Sequence, residues 1–147
     1  MTAPRALYAR PIAEYVLIAE LVGYPEVTRR LAVPGTETLD DLHHLLRSAL
    51  GWDDDHLYSF WLNGEFWSGP DTEYTSPVEA EPGTKTADVA VEQVELRPGQ
   101  EVAYLFDFGD DWRVILRVDE IRPEVGTKAR VVESLGEAPP QYAPINE

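Results

Sequence analysis

No cysteine occurs anywhere in the 147 residues. Disulfides and thiolate chemistry are therefore excluded, although this absence alone assigns no compartment. No run of about 18 apolar residues is present, so no membrane-spanning helix is expected. The N-terminal stretch carries Arg5 and Arg10 without the apolar segment of a signal peptide, and a cytoplasmic location is expected. Basic residues are scarce, with 12 Lys and Arg against 27 Asp and Glu, a net charge of −15. The imbalance is uneven: residues 1–50 hold six acids and five bases, whereas residues 51–147 hold 21 acids and seven bases. Gripping a phosphate backbone requires a basic patch, and no such cluster follows Arg29–Arg30, so direct nucleic-acid binding is not expected. Also missing are Gly-x-Ser-x-Gly, His-Glu-x-x-His and a glycine-rich loop leading into a helix. Those absences speak against a nucleophilic serine, a zincin site and a nucleotide phosphate cradle.

What is present begins with Val102–Val118, two alternating apolar runs around Gly109-Asp110-Asp111. The composition predicts a hairpin with a three-residue loop and Phe108 opposite Trp112. In that register the even-numbered residues, Phe108 included, share one apolar face, and Asp107 sits opposite Arg113 as a cross-strand ion pair. This hairpin is the expected centre of a sheet.

At 44% hydrophobic and 27% charged, the chain reads as one globular domain over 1–147, long enough to bury a core. Tyr15–Val22 is an apolar, β-rich run, broken at Gly23-Tyr24-Pro25. Val27, Arg29, Leu31 and Val33 then alternate onto one face up to Pro34-Gly35, which makes a second hairpin. Thr38 with Asp41 three residues on forms a capping-box arrangement. Leu39, Leu42, Leu45, Leu46, Ala49 and Leu50 recur at helical spacing before Gly51, so a helix over about 38–50 is predicted, with His43 on its apolar face. Leu57–Asn63 reads as a strand, Asn63-Gly64 as a type I′ turn and Glu65–Ser68 as its return. Residues 69–85 are rich in Pro, Gly, Glu and Thr without periodicity, as in a long mobile loop. Val89–Leu96 is ambiguous between short helix and strand. Arg130–Leu135 suits an edge strand, and an extended tail is expected from about 136, through Pro139-Pro140. The expected class is α+β: a mostly antiparallel sheet with one main helix packed on one face, plus short helical turns.

Three blocks carry a family resemblance. They are Leu39-Asp-Asp-Leu-His43 running on through Gly51-Trp52 and His56-Leu57 to Phe60; Tyr104-Leu-Phe-Asp107-Phe-Gly109-Asp110-Asp-Trp112; and Gly136-Glu-Ala-Pro139-Pro140. Together they resemble the plasmid ORF-3-like family, also described as passenger proteins of an insertion element and as TnpR-like. The likeness spans roughly residues 12–142. It implies a compact α+β domain and an association with mobile genetic elements, with no established activity. Where the family pattern has a histidine two places after the tryptophan, this chain has Val114, and the cysteines often found around the double proline are missing. Metal or catalytic schemes built on those positions do not carry over.

Seven of the 15 aromatic residues fall between Trp52 and Tyr74, which marks that region as core or as a ligand wall. Aromatics such as Trp52, Tyr58, Trp61, Trp67, Tyr104 and Trp112, beside acidic loops, suit a groove for a cationic or mixed peptide or a small ligand. The expected function is accordingly a non-enzymatic binding or adaptor domain, with Trp52, His56, Tyr104, Asp107, Asp110 and Trp112 as candidate binding residues. The ligand is unassigned and no cofactor is expected. One alternative is a metal-binding protein or metal-dependent enzyme using His43, His56, Asp107 and Asp110. A calcium loop starting at Asp53 would place Tyr58 and Gly64 where an EF-hand needs Gly and Glu, so that version fails. A second alternative is an acidic mimic of DNA.

Overall fold

The computed structural model describes residues 12–53, 56–78, 80–124 and 128–142; Asp54 and Asp55 of the acidic loop lie outside these ranges. The chain runs through β1 (Ile12–Leu21), β2 (Tyr24–Pro34), α1 (Leu39–Leu50), β3 (Tyr58–Trp61), β4 (Glu73–Thr75), a 3-10 turn (Val91–Val94), β5 (Glu101–Phe106), β6 (Trp112–Glu124) and β7 (Arg130–Leu135). The seven strands form one sheet in the order β4-β3-β5-β6-β1-β2-β7, with every strand pair antiparallel. The class is α+β as expected, but sheet dominates, with a single α-helix among the described residues. No helix of the described residues is long and apolar enough to cross a membrane.

Alternation sorts the strand residues between the two faces. Tyr15, Leu17, Ala19 and Leu21 of β1 and Val27, Leu31 and Val33 of β2 point to the helix side. There they join Leu39, Leu42, Leu46 and Leu50 of α1 and Tyr104, Phe106, Val114 and Leu116 of the central hairpin in one buried core. A smaller cluster of Trp61, Ala103 and Leu105, flanked by Phe66 and Ile115, occupies the opposite face. Glu14 is fully buried on that face and is held by Arg122 at 2.8 Å and Arg130 at 2.6 Å. Both guanidiniums are partly exposed, so the pair keeps solvation on one side and avoids the full cost of a buried charge.

The helix is specified locally at both ends. Thr38 N donates to Asp41 Oδ2 at 2.8 Å, and Asp41 N donates to Thr38 Oγ1 at 3.0 Å. Leu39 N and Asp40 N, two of the donors that a helix start leaves without partners, donate to Val89 O and Ala87 O. Gly51 closes the helix at φ 76, a left-handed value that favours glycine, with its N–H directed to Arg47 O and Ser48 O. The alternating face of β2 includes Arg29, which is buried by donating to Ala49 O, Thr28 O, Leu135 O and Gly136 O. It thereby ties β2 to the end of α1 and to the end of β7.

Four sequence expectations are corrected. In the central hairpin Phe106, not Phe108, faces Trp112, and the loop is the five residues Asp107–Asp111. The shift is two residues, so the even-numbered strand residues keep their shared face, but Phe108 leaves it and is exposed. The expected Asp107–Arg113 pair does not form. Arg113 sits opposite Leu105 and binds Asp111 at 2.8 Å. The cause is that Asp107 N donates to Leu57 O, at the entry to β3, and the residue turns to φ 62.

The return of β3 is likewise not Glu65–Ser68. Asn63 Oδ1 accepts from Glu65 N and from Ser68 Oγ, each at 3.1 Å, and curls that segment into a loop. The partner of β3 is β4, which comes from within the stretch expected to be irregular throughout. Val91–Val94 settles the ambiguous segment as a 3-10 turn. Arg130–Leu135 forms the edge strand expected of it, paired with β2.

Candidate functional site

The candidates read from the sequence divide between the core beneath the Asp107–Asp111 loop and the loop itself. Tyr104 and His43 are buried, with the tyrosine hydroxyl 2.7 Å from His43 Nδ1. Tyr58 stacks on the His43 ring at 3.8 Å between centroids, and its hydroxyl donates to Asp40 Oδ1. Trp52 is also buried, lying flat on Phe106 at 5.1 Å and 3° and against Trp112 at 5.6 Å. Trp52 therefore packs on Phe106 and Trp112 at the two ends of the loop, Tyr104 lies in the core beside His43, and Trp112 is half-buried at the start of β6.

In the loop, the Asp107 carboxylate accepts from Gly109 N at 3.1 Å and from Asp110 N at 3.3 Å through Oδ1. Its Oδ2 lies 3.5 Å from His56 Nε2, which is also 3.0 Å from the Tyr142 hydroxyl. Beside it, Asp53 N donates to Gln141 Oε1 at 2.6 Å. The chain after β7 thus returns to the acidic segment following α1, a meeting without a local sequence signal. Asp110 stands at the exposed tip.

The four residues of the metal alternative do not converge. His56 and Asp107 meet, whereas His43 is engaged with Tyr104 inside the core. Among the described residues no group of three or more His, Asp or Glu side chains is arranged to hold a metal ion.

A cavity of about 290 Å³ opens at the β3–β4 edge. Ser59 and Thr75, paired across β3 and β4, form its floor together with Glu73, whose Oε2 accepts from Ser59 Oγ at 2.9 Å. Leu57, Trp67, Phe108, Val78 and Glu81 also line it. Trp67 is 58% exposed and Phe108 42%, high values for rings of that size, yet their positions are defined. Trp67 packs on buried Trp61 at 5.2 Å and meets Phe108 at 5.6 Å and 56°, so the two rings form a corner. Trp67 is held at φ 58, a left-handed value that bulky residues rarely adopt and that clusters at working sites. The sequence marks Trp67 as an aromatic of the region. It does not mark Phe108, whose exposure depends on the hairpin register, or Glu73, whose place depends on β4.

Fold and cavity together define a sheet-dominated α+β domain with an aromatic, acid-lined recess on the face opposite its helix. The chain belongs to the plasmid pRiA4b ORF-3-like protein family, whose model matches residues 15–142. It is similar to the uncharacterized protein y4hQ of Sinorhizobium fredii (strain NBRC 101917 / NGR234), 33% identical over 119 residues. That match covers 80% of this chain and 59% of the relative, so the chain spans less than two thirds of its length. Among solved structures it resembles the protein of unknown function MM3350 from Methanosarcina mazei Go1, with a TM-score of 0.73 at 24% identity, covering 90% of this chain and 74% of that one. The likeness is one of fold.

Proposed function

We propose that the protein is a non-enzymatic binding or adaptor module that receives a basic, partly apolar segment of a partner protein in the recess at the β3–β4 edge. The observation that supports this reading is the make-up of the recess. Exposed Trp67 and Phe108 stand beside Leu57 and Val78, with Glu73 and Glu81 as its charged groups and no Lys or Arg among its lining residues. Clustered exposed apolar side chains favour contact with a partner, and aromatic faces attract cations. The excess of acids after residue 50 favours encounter with a basic segment at low ionic strength. His56, Asp107, Asp110 and Trp112 enter the reading as the groups that set the Phe108 loop, Trp52 as the ring packed at its two ends, and Tyr104 as part of the core. An association with mobile genetic elements belongs to the same proposal.

The test is a titration of the full chain with two peptides of equal length, one interleaving Lys with Leu and the other replacing each Lys by Glu, followed through tryptophan emission. Salt-sensitive binding of the basic peptide, lost in Trp67→Ala, is the expected result. Equal binding of both peptides, or binding that survives Trp67→Ala with Phe108→Ala, would overturn the reading.

A further inference from the structure

The geometry points to an alkylated ammonium group as the cation that the recess takes up more tightly than a primary amine, an inference that rests on the recess being a binding site. A primary ammonium carries three N–H donors and needs an acceptor for each when it leaves water. Three of the hydroxyls lining the recess already hold hydrogen bonds within the protein. Ser59 Oγ donates to Glu73, Thr75 Oγ1 donates to Lys85 O, and Ser76 Oγ accepts from Val78 N. Most of the rest of the lining is apolar surface and carboxylate: the Trp67–Phe108 corner, Leu57 and Val78, with Glu73 and Glu81. An N-methylated ammonium suits those surroundings. Its charge is spread over methyl groups, a fully methylated one asks for no hydrogen bond, and the methyls can lie against ring faces while a carboxylate supplies the counter-charge. The nearest lysine is directed elsewhere, since Lys85 Nζ donates to Asp71 O and lies 5.6 Å from the Tyr74 ring centroid.

The corner is built to hold its shape. Trp61 beneath Trp67 is fully buried and belongs to the cluster on this face of the sheet. Phe108 is carried on a loop closed by the hydrogen bonds of Asp107. Two rings fixed before the ligand arrives lower the ordering cost of binding, which matters for so small a group.

The experiment titrates the full wild-type chain with choline, with its uncharged isostere 3,3-dimethylbutan-1-ol and with ethanolamine, following tryptophan emission and amide shifts by NMR. Choline is expected to bind at least about tenfold more tightly than either comparator, with shifts at Trp67, Phe108 and Ser59. Trp67→Leu and Phe108→Leu, which keep apolar bulk but remove the ring face, should each weaken choline by about tenfold, and Glu73→Gln by less. The three-ligand comparison uses the unaltered protein, so it decides the matter even if a variant misfolds. Equal affinity for the neutral isostere would remove the cation from the proposal, and equal affinity for ethanolamine would remove its alkylation. If no choline binds while the basic peptide still does, the ligand class fails and the binding-module reading stands. If neither binds, both fall.

Discussion

Phe106 faces Trp112 across the β5–β6 pair, and Trp52 lies flat against Phe106 from the end of α1. The five residues between Phe106 and Trp112 are organised by the first of them. Asp107 takes a left-handed φ of 62, accepts from Gly109 N and Asp110 N through its side chain, and has its carbonyl bonded by Asp111 N at 2.6 Å. Asp and Asn tolerate that backbone conformation better than other side chains that carry a Cβ.

Asp107→Ala should therefore destabilise the protein by about 2 kcal/mol, because it removes the acceptor for two loop amides and leaves a Cβ at positive φ. Asp107→Asn keeps an oxygen for the amides and should cost about 0.5 kcal/mol. Urea denaturation of both variants distinguishes these values. Similar losses in the two would show that the negative charge beside His56, rather than the turn, is what matters.

The His43–Tyr104 contact is buried at both ends, so Tyr104→Phe removes a buried hydrogen bond from the imidazole. A loss of about 1–2 kcal/mol is expected. A double-mutant cycle with His43→Phe should give a coupling of about 1 kcal/mol. Additive losses would mean that the hydroxyl contributes nothing through the histidine.

The carboxyls of Glu37 and Asp41, at the start of α1, are shifted from their ordinary pKa in opposite directions. The Glu37 carboxyl is pushed above its ordinary 4.5 by its hydrogen bond to Asp41, then by burial and the charge of Asp41. For Asp41, burial works to raise the value, but hydrogen bonds from Thr38 N, Glu37 and the Thr38 side chain outweigh it and hold the group below 3.8. The Glu37 contribution to stability is thus present in full below pH 4.5 and is lost as pH rises through its higher folded value. The Asp41 contribution is present above pH 3.8 and is lost as pH falls through its lower folded value. Glu37→Gln should remove the first dependence, while Thr38 N and the Thr38 side chain still lower Asp41. The stability difference between wild type and variant should then shrink as pH rises from 4 toward 7, by thermal melts across that range. A difference that grew with pH would contradict the shared hydrogen bond.

Gly136 ends β7 at φ 76, where a Cβ would lie 2.2 Å from Glu26 O and 2.8 Å from Glu26 C. Both contacts are with backbone, so no side-chain rotation relieves them. Gly136→Ala should cost about 2 kcal/mol or more and disturb the Arg29 bonds to Leu135 O and Gly136 O. Chemical denaturation and the Arg29 Nε resonance would register the change. An unperturbed variant would show that the two segments separate easily.

Much of the fold is legible because its signals are local. The Thr38–Asp41 box, the leucine spacing of α1 and the stop at Gly51 depend on residues within one or two turns of each other, and alternation alone places Val27, Arg29, Leu31 and Val33 on one face. The candidate site is less legible. Trp52 and Tyr104 look like ligand walls when only composition near acidic loops is considered, yet both are covered by core packing from distant strands. Return of the strand after Asn63-Gly64 is equally hidden, because the Asn63 side chain diverts the next few residues and the partner arrives ten residues later as β4.

By itself, the sequence determined the helix and its ends, the two central hairpins and the parity of their faces, since each follows from periodicity and short-range hydrogen bonding. The tertiary structure decided the register of the β5–β6 hairpin to within two residues, and with it whether Phe108 is core or surface. Parity survives a shift of two, so the hydrophobic pattern is nearly blind to it; the bond from Asp107 N to Leu57 O, fifty residues apart in the chain, selects the register instead. The same long-range choice sets Phe108 beside Trp67 and creates the recess, a site that no stretch of this chain encodes alone.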